Sequence, residues 1–338
     1  MLTTLTVQGL RGLDQARLDG LAPVTVLVGP NGSGKTTILE ACGAFAAGPN
    51  PVEAWNALLH REWLGIEGLR YIVRRDGALI IGQLGDEEGS RRLSIPALRA
   101  PGSFTAPLTL DLREEHTGYR WQATVDADGV LDGPRHEVAV PYEFVYAFVD
   151  RPAGAQQRLN KPSFSSALRE SLTAIKLSPL YDDWLEYLRT LRPNISSIES
   201  ISVGDRDEPF VFEKERSRIG FPLAFAGDGF RRSLLLAGGF ARAKTGIVAI
   251  DEPEAFAHPS LFISVAKLIR RGVADKTQVI MATHSLEFVG ALLDEFAGDL
   301  GKIAVFGLSV TGGKLDAIRI AGDDAQKRVH EMGHDLRL

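Results

Sequence analysis

Residues 24–36 read Val24-Thr25-Val26-Leu27-Val28-Gly29-Pro30-Asn31-Gly32-Ser33-Gly34-Lys35-Thr36, and their order decides the fold. The first five are an apolar, β-branched run short enough for one buried strand. A glycine-rich loop follows, then a helical pattern from Lys35 to about residue 47, stopped by Gly48, Pro49 and Pro51. Gly29 to Thr36 satisfy the P-loop pattern GxxxxGK[ST] in full, directly after a strand and at a helix start. Around a triphosphate, the loop Gly29, Pro30, Asn31, Gly32, Ser33 and Gly34 would present backbone N–H groups without Cβ clashes. The helix N-terminus adds a partial positive charge. Lys35 would reach the β- and γ-phosphates, Thr36 would place its hydroxyl on Mg²⁺, and Thr37 completes the cradle. The expected ligands are therefore ATP and Mg²⁺. A glycine-rich turn with a chance lysine is the bland alternative, and the strand-loop-helix context argues against it.

Two further strands end in polar residues. Ile247-Val248-Ala249-Ile250-Asp251-Glu252 delivers adjacent carboxylates from an apolar strand, where open α/β sheets place their ligands. Asp251 would hold Mg²⁺, and Glu252, facing the other way, would polarise the attacking water. Alone, this could be a solvated Asp-Glu-Pro turn; the upstream loop favours the catalytic reading. Gln278-Val279-Ile280-Met281-Ala282-Thr283-His284-Ser285 repeats the plan, with the His284 imidazole where a γ-phosphate sensor would stand. The competing account makes His284 a turn residue capping the helix from Leu286, with Ser285 the alternative cap.

Outward from these motifs the chain divides by period. Residues 2–7 alternate as a strand, 9–20 read as a turn, and 69–140 are dominated by period-two alternation. There Leu108, Leu110 and Leu112 oppose Thr109, Asp111 and Arg113, and His116-Thr117-Gly118 turns into Tyr119, Trp121, Ala123 and Val125. Residues 60–142 are expected to form an inserted antiparallel β lobe and 160–195 a helical subdomain, after an apolar strand at 144–149. The second half of the core, 223–320, alternates helix and strand: helix from Gly229, strand 247–250, helix from Pro259, strand 277–281, helix from Leu286, strand 302–308. The expected fold class is α/β, a P-loop NTPase with a central, mostly parallel sheet, all in one domain spanning 1–338.

Composition bounds the setting. The 338 residues are 44% hydrophobic and 24% charged, an ordinary globular balance. A formal net charge of −5 does not advertise a dedicated nucleic-acid binder. Cys42 is the single cysteine, so no intramolecular disulfide forms. No secretory segment opens the chain and no apolar run is long enough to span a bilayer, so a cytoplasmic location without a membrane partner is expected.

Together the P-loop, the Asp251-Glu252-Pro253 tripeptide and Thr283-His284-Ser285 resemble the ABC ATPase superfamily. Ala226-Gly227-Asp228-Gly229-Phe230-Arg231-Arg232 is similar to the divergent signature of OLD-type ATPases, not to the LSGGQ of transporters. Asp251-Glu252-Pro253-Glu254-Ala255-Phe256-Ala257-His258-Pro259 and Ala282-Thr283-His284-Ser285-Leu286-Glu287-Phe288 point the same way. The resemblance covers the first fifty residues and 223–308. It implies an ATP-dependent homodimer in which ATP is sandwiched and Gly229 of one subunit touches the γ-phosphate held by the other. Asp228 departs from the usual signature glycine and has a competing reading as a helix cap. A Mg²⁺-sensing glutamine is also implied, with Gln156 and Gln157 the weak candidates, and Arg11 resembles a basic residue placed near the nucleotide.

OLD proteins carry a C-terminal Toprim nuclease domain, for which too little chain follows residue 308; the nuclease is expected as a separate partner. The alternative is an ATP-dependent DNA-binding clamp of RecF/SMC type, with DNA contacted directly or only in the ATP state; Arg231 and Arg232 are its candidate contacts. A transporter subunit would need the conventional signature. His330-Glu331-Met332-Gly333-His334 fits the HExxH zinc pattern, but no third ligand follows it, and an amphipathic helix from about Asp323 is the preferred reading.

Overall fold

A computed structural model describes residues 1–46, 77–85, 90–95, 108–114, 119–125, 131–132, 144–147, 179–203, 206–216, 219–243, 246–254 and 259–330. The chain begins with β1 (Leu2–Leu10), β2 (Leu13–Asp19), β3 (Val24–Val28) and α1 (Lys35–Ala46). Five strands follow: β4 (Ala78–Leu84), β5 (Ser90–Ile95), β6 (Leu108–Glu114), β7 (Tyr119–Val125) and β8 (Leu131–Asp132). Then come β9 (Phe144–Ala147), α2 (Tyr181–Leu191), β10 (Ile195–Val203), β11 (Arg206–Glu213), β12 (Phe221–Pro222) and α3 (Asp228–Arg242). The last part runs β13 (Ile247–Asp251), α4 (Ser260–Ala274), β14 (Gln278–Ala282), α5 (Leu286–Glu295), β15 (Ile303–Thr311), β16 (Lys314–Ala321) and α6 (Gly322–His330).

Thirteen strands join in one mixed sheet, ordered β8-β7-β6-β5-β4-β1-β2-β16-β15-β3-β14-β13-β9. Its parallel block, β15-β3-β14-β13-β9, is the part the apolar runs predict. The period-two strands do not make a sheet of their own: β4 pairs antiparallel with β1, so they continue the core sheet. β10, β11 and β12 form a small antiparallel sheet apart from it.

Burial explains why the block is apolar throughout. Ile247, Ala249, Ile280, Ala282, Ala304 and Phe306 point into one core with α1, while Val248, Ile250, Val279, Met281, Ile303 and Val305 point into the other. A strand covered on both faces needs no polar alternation. The second core is closed by α2, α3, α4 and α5, with the Trp184 indole N–H donating to the Leu234 carbonyl at 3.3 Å to tie α2 to α3. Cys42 is buried in α1, and burial pushes its thiol up to about 12, far from thiolate chemistry.

Several elements were absent from the sequence reading. β2 occupies residues read as a turn: only Leu13, Ala16 and Leu18 are buried, and polar residues separate them, so its pairing with β1 supplies what its pattern lacks. β16 has one buried residue in eight and pairs with β15; β10 alternates weakly. Residues 160–178 of the expected helical subdomain, the turn at 116–118, Gln156 and Gln157 lie outside the described residues.

Gln278 shows how the N-terminus is fastened to the block. It is 3% exposed; its amide donates to the carbonyls of Leu2 (2.8 Å) and Ala22 (3.1 Å), and its oxygen accepts from the Leu2 N–H (2.9 Å). Gln278→Leu keeps the volume but orphans these buried groups, and is expected to cost about 2–3 kcal/mol in urea unfolding. A midpoint unchanged from wild type would contradict this.

Candidate nucleotide-binding site

Parallel register brings the functional strand ends to one edge. Asp251 pairs with Ala282, Ala282 with Leu27, and Leu27 with Phe306, so β13, β14, β3 and β15 open toward the same side. That is the carboxyl edge, where such sheets hold ligands.

The loop after β3 can follow its path only with glycine at key points. A Cβ on Gly29 would lie 2.3 Å from the Leu308 carbonyl oxygen, and Gly34 adopts φ +83° with a Cβ position 3.1 Å from Leu13. Lys35, the first residue of α1, is buried, and its ammonium donates to the carbonyls of Gly29 (2.8 Å) and Pro30 (2.9 Å). Burial lowers its pKa from the ordinary lysine value; the nearby carboxylates of Asp251, Glu252 and Glu254 oppose that shift.

Glu252 follows β13 with φ +50°, and its N–H donates to the Ala282 carbonyl at 2.8 Å. A left-handed backbone on a residue with a long side chain costs on the order of 1 kcal/mol and persists only where its surroundings impose it, a pattern concentrated at functional sites. At the end of β14, Ser285 rather than His284 caps α5: its hydroxyl accepts from the Phe288 N–H at 3.1 Å. His284 is thereby left outside the capping bond.

Asn31, Gly32, Ser33, Gly34, Lys35, Thr36, Thr37, Asp251, Glu252 and His284 line one cavity of about 280 Å³. Gly12, Leu13 and Val310 also line it and went unnoticed in the sequence. Gly29 and Pro30 do not face it; they contribute the carbonyls that hold Lys35. Gly229 also stands apart, as the second residue of α3, its carbonyl accepting from the Ser233 hydroxyl at 2.8 Å. The helix starts one residue earlier than expected, with Gly227 as its N-cap, so the reading of Asp228 as the cap is corrected.

Arg11, in the β1–β2 turn, sends its guanidinium to Glu40, Nε donating to Oε2 at 2.6 Å and Nη2 to Oε1 at 3.3 Å. The Glu40 side chain is fully buried on α1, so this pair neutralises a core charge and anchors the turn that supplies Gly12 and Leu13. His330 ends α6 with Nε2 3.1 Å from Asp294 Oδ1; Glu331 and His334 lie outside the described residues.

The donor set fits Mg²⁺ held with a triphosphate. Thr36, with its hydroxyl, and Asp251, with its carboxylate, line the same cavity as Lys35, beside Ser33, Thr37 and Glu252. Among the described residues no cluster of three or more His, Cys, Asp or Glu is placed to hold a metal ion. Mg²⁺ at phosphate sites takes one or two protein ligands, the rest coming from water and phosphate.

The family described as "AAA domain, putative AbiEii toxin, Type IV TA system" matches residues 146–290, and a second AAA domain family matches residues 4–52. Uncharacterized protein MJECL11 of Methanocaldococcus jannaschii is 36% identical over 112 residues, 33% of this chain and 98% of the relative. An Smc head domain with an extended coiled coil, bound to the C-terminal domain of ScpA derived from Pyrococcus furiosus, superposes with a TM-score of 0.55. It is 14% identical, covering 98% of this chain and 99% of that one. An SmcHead bound to the C-winged helix domain of ScpA gives 0.54 at 14% identity, over 96% and 99%. At that identity the likeness is one of fold. Among the described residues no helix is long and apolar enough to cross a membrane. The chain belongs to the family of its archaeal relative and carries ABC-type AAA ATPase domains on an SMC-head-like P-loop fold.

Proposed function

We propose that this chain binds Mg²⁺·ATP and hydrolyses it as a nucleotide-dependent homodimer that regulates a separate partner, a nuclease or Toprim-like protein in DNA metabolism or phage defence. One observation carries the enzymatic part: Lys35 and Thr36, over 200 residues upstream of Asp251, Glu252 and His284, share a cavity with them. Chance motifs have no reason to converge.

Each residue then has a task. Lys35 exchanges the carbonyls of Gly29 and Pro30 for phosphate oxygens. Thr36 and Asp251 would hold Mg²⁺, whose charge would offset that of the phosphates. Glu252 orients a water toward the γ-phosphorus and accepts its proton, while the bond to the bridging oxygen breaks and ADP leaves. His284 donates a hydrogen bond to the γ-phosphate.

The cavity is lined by residues from the P-loop, the end of β13 and the turn after β14, and the ABC resemblance supports a second subunit that completes the site around ATP. Gly229, at a helix start outside the cavity, is the group offered to the other subunit. The resemblance of residues 226–232 to the signature of OLD-type ATPases supports the nuclease partner. The matched family's description, a toxin of a TA system, supports a defence setting, and the ScpA-bound heads support regulation through a protein partner.

Size-exclusion chromatography of Glu252→Gln tests the assembly. ATP is expected to convert monomer to dimer, with DNA changing nothing. Elution unaffected by ATP sinks the dimer, and ATP-dependent co-elution with DNA favours the clamp of RecF/SMC type instead.

A further inference from the structure

Glu254 lies two residues beyond Glu252 and does not line the nucleotide cavity. Its Oε1 nevertheless accepts from the backbone N–H of His284 at 2.8 Å and of Ser285 at 3.2 Å. Those donors sit in the turn between β14 and α5. The helix already has its cap in Ser285, whose own N–H is also served by the Thr283 hydroxyl at 3.0 Å. Glu254 is therefore surplus to capping, and what it adds is a tie between two turns.

That tie runs beside a second one. The Glu252 N–H donates to the Ala282 carbonyl, so the segment after β13 is stitched at two points to the end of β14 and the turn that follows it. Glu252 and His284 hang from these two segments and meet at one cavity. Glu254 Oε2, meanwhile, is buried and finds no hydrogen-bond partner among the described residues. A residue retained for stability alone would be apolar or fully satisfied, because an unpaired buried carboxylate oxygen is unfavourable.

We infer that Glu254 is a positioning residue: its carboxylate clamps the Thr283-His284-Ser285 turn onto the segment after Asp251 and so sets where the His284 imidazole stands relative to Glu252. The inference rests on the reading of His284 as the γ-phosphate contact. It acts on turnover rather than on nucleotide capture, because the loop around Lys35 takes no part in the clamp. A displacement near 1 Å at such a group costs on the order of 100-fold in rate.

The test is a double-mutant cycle on ATPase turnover in the full chain with Mg²⁺·ATP. Glu254→Ala is expected to lower kcat about 30- to 100-fold with KM within about threefold. Glu254→Gln keeps the accepting oxygen and is expected within about threefold of wild type. In the His284→Ala background, Glu254→Ala should cost less than about threefold, since a ring that is absent cannot be misplaced. Should Glu254→Ala fail to fold, Glu254→Asp withdraws the carboxylate by one methylene and is expected to show the same kcat loss, again erased by His284→Ala.

Equal losses with and without His284 overturn the clamp. A Glu254→Gln loss as deep as that of Glu254→Ala overturns it as well, because charge would then matter and geometry would not. A normal kcat for His284→Ala alone refutes the parent reading of His284, a result distinguishable from either of these.

Discussion

Glu252→Gln is expected to lower ATP turnover by about 10²- to 10⁴-fold while ATP affinity stays near that of wild type. The side chain enters the same cavity as Lys35 and Asp251, but Gln carries no basic oxygen to take a proton from water. Size and branching are unchanged. The backbone at 252 already holds φ +50° through the bond from its N–H to Ala282, and Gln tolerates that conformation no better and no worse than Glu. Melting temperatures should therefore coincide, which separates loss of chemistry from loss of fold. Phosphate release and titration with a fluorescent ATP analogue measure the two quantities. Turnover within tenfold of wild type would remove Glu252 from the reaction, and parallel loss of affinity would move it into binding.

What the sequence discloses and what it hides divide along one physical line. Lys35, Thr36, Asp251, Glu252 and His284 were legible because each lies beyond a fully buried apolar run, and such runs stand out unbroken in the sequence, as at 24–28 and 247–250. β2 was not, because Leu13, Ala16 and Leu18 are separated by polar residues and its conformation is imposed by β1. Gly12 and Leu13 enter the site through that hairpin, and Val310 through the end of β15, so their part could be seen only once tertiary pairing was known. The Arg11–Glu40 pair and the Glu254 clamp are contacts between side chain and distant partner. A glutamate in the middle of a helix or after a carboxylate pair looks like solvated surface in a sequence. Burial turns it into a group that must be paired.

Lys35→Met is expected to weaken ATP binding by roughly 100-fold, since hydrogen bonds to charged groups contribute about 1.5–3 kcal/mol each and tenfold in affinity is about 1.4 kcal/mol. The same residue gives the site a pH dependence whose sign follows from its environment. Burial holds the Lys35 pKa below the ordinary 10.5, with Asp251, Glu252 and Glu254 pulling the other way. Between the lowered value and 10.5 the folded chain carries fewer protons than the unfolded chain, so the penalty for a buried ammonium is present at lower pH and fades as pH rises through the lowered pKa. ATP needs the ammonium. Affinity in the wild type should therefore fall as pH rises through that lowered pKa, and binding there should take up a proton. In Lys35→Met the affinity should be weak and nearly level over the same alkaline range, because nothing at position 35 titrates. Calorimetry in buffers of different ionisation enthalpy reads the proton directly. Proton uptake that persists in Lys35→Met would assign the titrating group elsewhere, and wild-type-like affinity in that variant would sever the P-loop from ATP altogether.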